Sequence, residues 1–363
     1  MSMNARVPPV KLARVVEWTR HHLYGLNQRL APAPAAVFEM ILAGWTSQAI
    51  TVAADLGVAD VLSEGPLSIE QLAARVNADA DALRRLMRAL VGRNIFRHRR
   101  DGRYELNALA ETLRRDAPVS MRSAARFYGS HEQRERWTLL VDSIRTGDGV
   151  VAALRGKESF DYFAENPELA ELFNATMTSV SKLTDATVVA GYDFSPYATI
   201  VDVGGGHGPL LAAILATAPA SRGILYDLPS VVADAPEVLA TRGVADRVLV
   251  AEGSFFDCVP AGGDAYVLKN IVHDWPDDKA AQILRNVRAA VSSRAKVLLV
   301  ELVIPDHDRD FPGKWVDLEM LLNLGARERT AVEYRKLLGE TGFRLTRVVP
   351  TASPLSVVEA IPA

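Results

Sequence analysis

The sequence predicts an α/β protein in which a mostly helical first half precedes a parallel sheet with helices on both faces. Two observations support this prediction. Up to about residue 190, apolar residues recur at helical spacing, whereas beyond it short β-branched runs alternate with helical segments. A glycine-rich run, 204–208, follows the first of these strands and opens a helix. Ligands of such folds bind in the crevice at the carboxyl ends of the strands.

Composition narrows the class of protein. A length of 363 residues suits two domains. With 49% hydrophobic and 23% charged residues and a net charge of -3, we expect a globular protein without general attraction to nucleic acid or anionic lipid. The single cysteine, Cys258, and an N-terminus without a signal-peptide pattern predict a cytoplasmic location. Polar residues within the apolar stretch 38–61 favour a buried or interfacial helix over a membrane span.

The first half is predicted to be helical apart from one hairpin. Leu83, Leu86, Met87 and Leu90 recur at helical spacing, and an Asp-Gly pair separates two short strands over 95–106. Three helices and a hairpin make a winged-helix pattern. The expected divisions are an N-terminal arm over 1–34, a winged-helix-like domain over 35–118 with helices at about 35–54, 69–76 and 79–92, and a helical connector over 119–190.

The last division, 191–363, is predicted to alternate strands and helices, which implies a parallel sheet. The expected strands are 198–203, 223–227, 247–251, 264–270, 296–302, 343–350 and 354–360, and the expected helices are 208–217, 229–241, 277–291 and 331–341.

The glycine loop predicts a cationic nucleoside ligand. A dinucleotide fingerprint requires glycine at its first, third and sixth positions, but the sixth position from Gly204 is Pro209. Asp202, just before the loop, disfavours a pyrophosphate and favours S-adenosylmethionine, which carries a sulfonium and an ammonium group. Asp227, at the end of the second strand, is expected to accept the ribose hydroxyls. The alternatives are that the glycines only form a tight turn and that Asp227 caps the next helix.

His273 is the candidate general base. It follows the fourth strand and is expected to face the same crevice. Because a phenol has a pKa near 10, only about 0.1% of it is ionised at pH 7, and a histidine can take its proton. Glu301 and Glu328 are candidates to flank the ring and fix its tautomer. The alternatives are a structural histidine and a Glu301 that caps a helix or pairs with a lysine.

Six motifs in order complete the pattern: Asp-Val-Gly-Gly-Gly-His-Gly, Tyr-Asp-Leu-Pro, Gly-Ser-Phe-Phe, Leu-Lys-Asn-Ile-Val-His-Asp-Trp, Val-Glu-Leu-Val-Ile-Pro and Ala-Arg-Glu-Arg-Thr. Over about residues 35–360 the chain resembles the S-adenosylmethionine-dependent O-methyltransferases that include caffeic acid, hydroxyindole and bacterial polyketide enzymes. The resemblance implies a winged-helix-like dimerisation domain and a Rossmann-like class I methyltransferase sheet. It also implies that His273 is the base and that Glu301 and Glu328 flank it.

The expected binding residues come from the resemblance, from the strand ends and, for Phe127 and Phe163, from the many aromatic residues of the segment 107–190. For S-adenosyl-L-methionine and its product S-adenosyl-L-homocysteine these are Asp202, Gly204, Gly206, Gly208, Asp227, Leu228, Ser254, Phe255, Lys269 and Trp275. For the acceptor they are Phe127, Phe163, Phe173, Met177, Asp274, Met320 and Asn323. Ser254 replaces the aspartate that relatives place near the adenine.

The predicted function is methylation of a hydroxyl group on a small aromatic acceptor by a homodimer, without a metal, nucleic-acid or membrane partner. One alternative is a cofactor-binding relative with a non-methylating activity, such as hydroxylation or decarboxylation. Another is a DNA-binding regulator, because arginines cluster on the winged-helix pattern. The arginines concerned are Arg84, Arg85, Arg88, Arg93, Arg97, Arg99, Arg100 and Arg103.

Overall fold

The structure is a computed structural model that describes residues 7–157 and 159–363, with only the backbone of 160 and 161. It divides into two compact units. One contains His22–Thr138 and Phe160–Lys182, and the other contains the residues up to His21 together with Leu139–Ser159 and Leu183–Ala363. The segment predicted as one connector, 119–190, is therefore shared between the two units.

The first half is helical apart from one hairpin, as predicted. The segment predicted as an N-terminal arm contains a helix. The next helix begins directly after Pro32 and has Pro34 in its first turn, where proline is tolerated. The elements are α1 Val10–Arg29, α2 Ala33–Asp55, α3 Val58–Leu62, α4 Ile69–Arg75, α5 Ala80–Gly92, β1 Arg97–His98, β2 Tyr104–Glu105, α6 Ala108–Glu111, α7 Arg122–Tyr128, α8 His131–Thr138, α9 Leu140–Thr146, α10 Val151–Arg155, α11 Ser159–Glu165 and α12 Pro167–Gly191.

The predicted hairpin and the predicted apolar face of α5 are confirmed, and α4 begins with a capping box. Strands β1 and β2 pair antiparallel, which is the expected hairpin. Leu83, Met87 and Leu90 on α5 are buried in one apolar core with α3 and α4. The side chain of Ser68 and the Gln71 side chain form the reciprocal bonds of a capping box at the start of α4.

A seven-stranded sheet forms the core of the second half. In space the strands are ordered β5-β4-β3-β6-β7-β9-β8. The first five in this order are parallel, whereas β9 runs antiparallel to both β7 and β8. The prediction of a parallel sheet is therefore wrong for β9, the reversed strand, because residues 351–355 are too short a link for a parallel crossover between β8 and β9. The strands are β3 Thr199–Val203, β4 Arg222–Asp227, β5 Val248–Glu252, β6 Ala265–Lys269, β7 Lys296–Glu301, β8 Phe343–Pro350 and β9 Ser356–Pro362.

Helices cover both faces of this sheet and bury an apolar core on each. They are α13 Pro209–Thr217, α14 Pro229–Val232, α15 Ala235–Thr241, α16 Asp277–Ala290 and α18 Ala331–Glu340. A further helix of this half, α17 Pro312–Leu324, packs against the 3-10 turn after β6. The sequence did not predict α17, which has no clean polar face. The direction of chain progression reverses between β3 and β6, which are neighbours in the sheet. Such a reversal opens a crevice at the carboxyl ends of the strands.

Candidate active site

The glycine loop after β3 is held against the end of β4. The N–H of Gly204 donates to the carbonyl of Tyr226 at 2.8 Å, and that of Gly206 donates to Oδ2 of Asp227 at 2.8 Å. Gly204 has a φ of 69°, and a Cβ there would lie 2.5 Å from Cδ1 of Ile271. Glycine is therefore required at this position, and the backbone is bare at the edge where the sequence predicts a ligand.

Asp202 lies beneath this loop and is only 1% exposed. Its Oδ2 has no hydrogen-bond partner among the residues that the structure describes. Burial raises the pKa of Asp202 to about 7, although the positive charge of Lys269 opposes this effect. The Lys269 ammonium is itself paired with the carboxylate of Asp185 on α12. Two carboxylates thus surround one buried ammonium, and this arrangement favours a positively charged ligand.

The ends of β4 and β5 supply polar and aromatic groups. Both carboxylate oxygens of Asp227 accept backbone hydrogen bonds, the second from Leu228 at 2.7 Å. Burial raises the pKa of Asp227 despite these bonds. The Leu228 side chain beside it is exposed. Ser254 accepts a bond from the N–H of Phe256 at 3.2 Å and so shapes its own turn.

An aromatic group follows the turn after β5. The rings of Phe255 and Phe256 meet the indole of Trp275 edge to face, with centroids 6.2 and 4.6 Å apart. A Cβ on Gly204 would lie 3.5 Å from the Phe255 ring. The structure therefore brings Phe255 to the glycine loop.

His273 lies on a short 3-10 turn directly after β6, and two glutamates hold it in different ways. Oε1 of Glu301 accepts hydrogen bonds from the N–H groups of the two residues before His273, at 3.3 and 3.0 Å. Oε1 of Glu328 lies 2.6 Å from Nδ1 of the imidazole. Glu301 therefore fixes the backbone of the turn, whereas Glu328 orients the ring.

The electrostatic surroundings of His273 are strongly negative. Its Nε2 lies 3.4 Å from Oδ1 of Asp274. Burial by itself lowers the pKa of His273, but the charges of Asp274, Glu328 and Glu301 outweigh burial and raise it to about 10. The carboxylates thus make this imidazole a stronger base than an ordinary histidine.

The same cluster meets the distance requirement of a metal site. Potential ligand atoms of His273, Glu301 and Glu328 lie within 4.8 Å of one another. Oε2 of each glutamate is buried and has no hydrogen-bond partner in the part of the chain that the structure describes. However, the 2.6 Å contact between Nδ1 and Glu328 is a hydrogen bond, which an ion would have to displace in order to use both atoms. The contacts in the structure therefore favour proton handling.

Comparison with known proteins decides the family. The model of the O-methyltransferase domain matches residues 137–344, and that of the O-methyltransferase dimerisation domain matches residues 38–116. The phenazine O-methyltransferase of Lysobacter antibioticus is 43% identical over 91% of this chain and 97% of its own length. The crystal structure of LaPhzM has a TM-score of 0.87 at 42% identity and covers 92% of this chain and 100% of that chain.

The chain belongs to the O-methyltransferase family. Another solved member is an O-methyltransferase from neocarzinostatin biosynthesis in complex with S-adenosylmethionine and 2-hydroxy-5-methyl naphthoic acid. It has a TM-score of 0.75 at 33% identity and covers 88% of this chain and 96% of that chain. These findings confirm the predicted family, the class I methyltransferase fold and the dimerisation domain, and they support S-adenosylmethionine as the cofactor. A dimerisation domain in the first half also argues against the DNA-binding alternative.

The O-methyltransferase has its predicted acceptor residues in both units. In the first, the rings of Phe127, Phe163 and Phe173 form one cluster, in which Phe163 and Phe173 stack at 4.8 Å. Met177 is half-buried one turn after Phe173 on α12. In the second unit, half-buried Met320 and Asn323 lie on α17, and Asp274 lies beside His273. Their acceptor contacts remain predictions.

Sequence reasoning missed three charged residues around the active site of this O-methyltransferase. Asp185 pairs with Lys269, and Oδ1 of Asp317 accepts the N–H of Glu328 at 2.8 Å. Arg329, next to Glu328, is buried and bonds to the His273 turn. Asp185 and Asp317 lie on helices without any local motif, so no sequence signal identifies them. Arg329 did carry a signal, because it belongs to the Ala-Arg-Glu-Arg-Thr motif.

Proposed function

We propose that this O-methyltransferase methylates a hydroxyl group of a planar polycyclic aromatic acceptor, with His273 as the general base and without a metal. The observation that supports this proposal is the contact between Nδ1 of His273 and Glu328 at 2.6 Å. When Nδ1 keeps its proton for this bond, Nε2 is left as the acceptor for the substrate proton.

The residues around the crevice suit S-adenosylmethionine, which supplies a methyl group on a positively charged sulfur when it is bound. Gly204 leaves the backbone open, and the unpartnered oxygen of Asp202 offers a negative charge to a cation. Asp227 stands at the end of β4, where a carboxylate accepts ribose hydroxyls in related nucleotide sites. Lys269, Phe255, Ser254, Leu228 and Trp275 complete the proposed cofactor contacts.

His273 would take the proton of the acceptor hydroxyl, and the bound cofactor would supply the methyl group that replaces it. A cation in the same crevice opposes the imidazolium, so His273 loses its own proton more readily when the cofactor is bound. Nε2 then takes the hydroxyl proton, and Glu328 keeps the ring in the required tautomer. Alignment and exclusion of water account for most of the remaining acceleration.

The proposed acceptor class follows from the relatives, which include a phenazine enzyme and one solved with a naphthoic acid. The aromatic cluster of Phe127, Phe163 and Phe173 provides flat apolar surface of the kind that such rings pack against. Met177, Met320, Asn323 and Asp274 are the remaining proposed contacts.

A panel of hydroxyphenazines and hydroxynaphthoates with methyl-labelled cofactor tests the proposal. Label in an ether product is expected, and conversion of the acceptor without label in the product would instead indicate the non-methylating alternative. His273→Asn should lower kcat about 100-fold or more, the range for loss of a general base, while the cofactor Kd from calorimetry changes little. The exposed His131 provides the matched control, His131→Asn. Full turnover by His273→Asn would refute the role of His273 as the general base.

The proposed working form is a cytoplasmic homodimer without a nucleic-acid or membrane partner. Helix α2 is long and apolar enough to cross a membrane by those two criteria. It belongs, however, to the segment matched by the dimerisation model, and its exposed Phe38, Ile41 and Trp45 suit a second copy of the chain. Light scattering should give twice the chain mass of 39.5 kDa, and a monomer that keeps full activity would contradict the proposal.

A further inference from the structure

Arg329 is the largest fully buried side chain in the described residues, with 1% exposure. All five N–H groups of its guanidinium have acceptors. Nε and Nη2 donate to Oδ1 of Asp277 at 3.1 and 2.7 Å, and Nη2 also reaches the carbonyl of Trp275 at 3.2 Å. Nη1 donates to the carbonyls of Val272 at 2.9 Å and Arg327 at 3.3 Å. A buried arginine with every donor used is held in one orientation.

The hydrogen-bond acceptors of Arg329 lie on both sides of His273 in the sequence. Val272 and Trp275 stand on either side of the His273-Asp274 pair, so the guanidinium fastens both ends of the turn. In the sequence, Arg329 directly follows Glu328, whose carboxylate orients the imidazole. One side chain thus links the backbone that carries the base to the backbone that carries its orienting carboxylate.

We propose that Arg329 is a positioning residue for methyl transfer, which sets the distance between the His273 turn and Glu328 and thereby aims the imidazole at the acceptor hydroxyl. This inference rests on the proposed base role of His273. A lysine would keep the charge but has no planar fork and cannot reach both carbonyls and Asp277 at once. Since a displacement of about 1 Å at a reacting group can cost about 100-fold in rate, the fork geometry has a measurable consequence.

The test compares Arg329→Lys and Arg329→Met with the matched changes at Arg327. Arg327 lies two residues away in the same motif and is exposed. Among the described residues its side chain makes long ion pairs, at 4.0 Å to Asp277 and 3.8 Å to Glu333. Each variant is assayed with two acceptors that the unmodified enzyme methylates, a hydroxynaphthoate and a nitro-substituted analogue whose hydroxyl is already ionised at the assay pH.

A positioning role predicts an acceptor-dependent loss. Arg329→Lys should lower kcat about 100-fold on the weakly acidic hydroxynaphthoate and less than about 10-fold on the ionised analogue, which needs no base. The cofactor Kd should change less than about twofold, and the Arg327 variants should behave like the unmodified enzyme. A purely structural role would instead lower both rates equally along with the melting temperature.

The outcomes separate this inference from the proposed function. If His273→Asn shows the acceptor-dependent loss and Arg329→Lys does not, Arg329 is not a positioning residue. If His273→Asn shows no such pattern, the base role itself fails. Should the Arg329 variants not fold, Asp277→Asn weakens the same fork from the surface and should give a smaller loss of the same pattern, and a loss that is equal on both acceptors would overturn the inference.

Discussion

Replacing Glu328 by glutamine isolates the effect of one charge on the base. The change keeps the size of the side chain and removes the carboxylate that lies 2.6 Å from Nδ1 of His273. Because negative charges raise the pKa of this imidazole, losing one of them must lower it. Since only the neutral imidazole accepts a proton, the acid limb of the pH profile should move to lower pH.

The size of the shift follows from the distance. Two unit charges about 4 Å apart interact by about 4 kcal/mol at an effective dielectric constant of about 20, which equals about 3 pKa units at about 1.36 kcal/mol per unit. Measured shifts for charges this close run from about 1 to 3 units, so we expect the limb of Glu328→Gln to fall by that amount. The plateau rate should also fall, by about 10-fold or more, because a glutamine N–H can donate to Nδ1 and stabilise the wrong tautomer.

The assay is kcat/KM for the acceptor between pH 5 and 10 with saturating cofactor. Glu340→Gln serves as the control, because Glu340 is exposed on α18 and its loss changes the net charge equally. An acid limb that stays in place or moves to higher pH in Glu328→Gln would show that Glu328 does not govern the base.

Three further predictions concern the cofactor, the fold and metals. Asp227→Asn should raise the cofactor Kd about 10-fold or more in calorimetry, and an unchanged Kd would remove Asp227 from the site. Burial raises the pKa of Glu359, but its hydrogen bonds, among them those donated by Lys296 and Arg347, outweigh burial and lower this pKa to about 2. Its stabilising effect is therefore present above its unfolded pKa and lost as the pH falls toward 2. Glu359→Gln should cost about 3 kcal/mol in urea unfolding at pH 7, and an unchanged midpoint would contradict this. Dialysis against a chelator should leave turnover intact, whereas added zinc should inhibit the enzyme by binding at His273. Loss of activity on dialysis that only a metal restores would overturn the metal-free mechanism.

Much of the catalytic half could be predicted because each signal was local. Strand β3, its glycine loop and the end of β4 are set by consecutive residues, and the predicted bounds agree with the structure to within one residue at Thr199–Val203 and Arg222–Asp227. The direction of β9 could not be predicted from its own residues. It depends on how short a link follows β8, and the repeating pattern of strand and helix before it favoured a parallel arrangement.

The charged surroundings of His273 show more clearly what the sequence could not predict. Glu301 and Glu328 were identified from motifs, but a motif does not show that Glu301 bonds to the backbone while Glu328 bonds to the ring. That distinction depends on the orientation of β7 relative to the turn after β6. Asp317, which holds the N–H of Glu328, lies on the helix that the sequence did not predict.

The carboxylates of Glu328 and Asp274 affect the charge of His273 both before and after the proposed methyl transfer. Before it, His273 is neutral and the bound cofactor would supply the positive charge of the site. Afterwards the imidazole holds the acceptor proton, and the positive charge of the site lies on His273. Glu328 and Asp274 lie against the imidazole and stabilise the charge where it arrives. Arg329 holds the turn in place with its own charge largely satisfied by Asp277, so it fixes this geometry without greatly weakening the field that makes His273 basic.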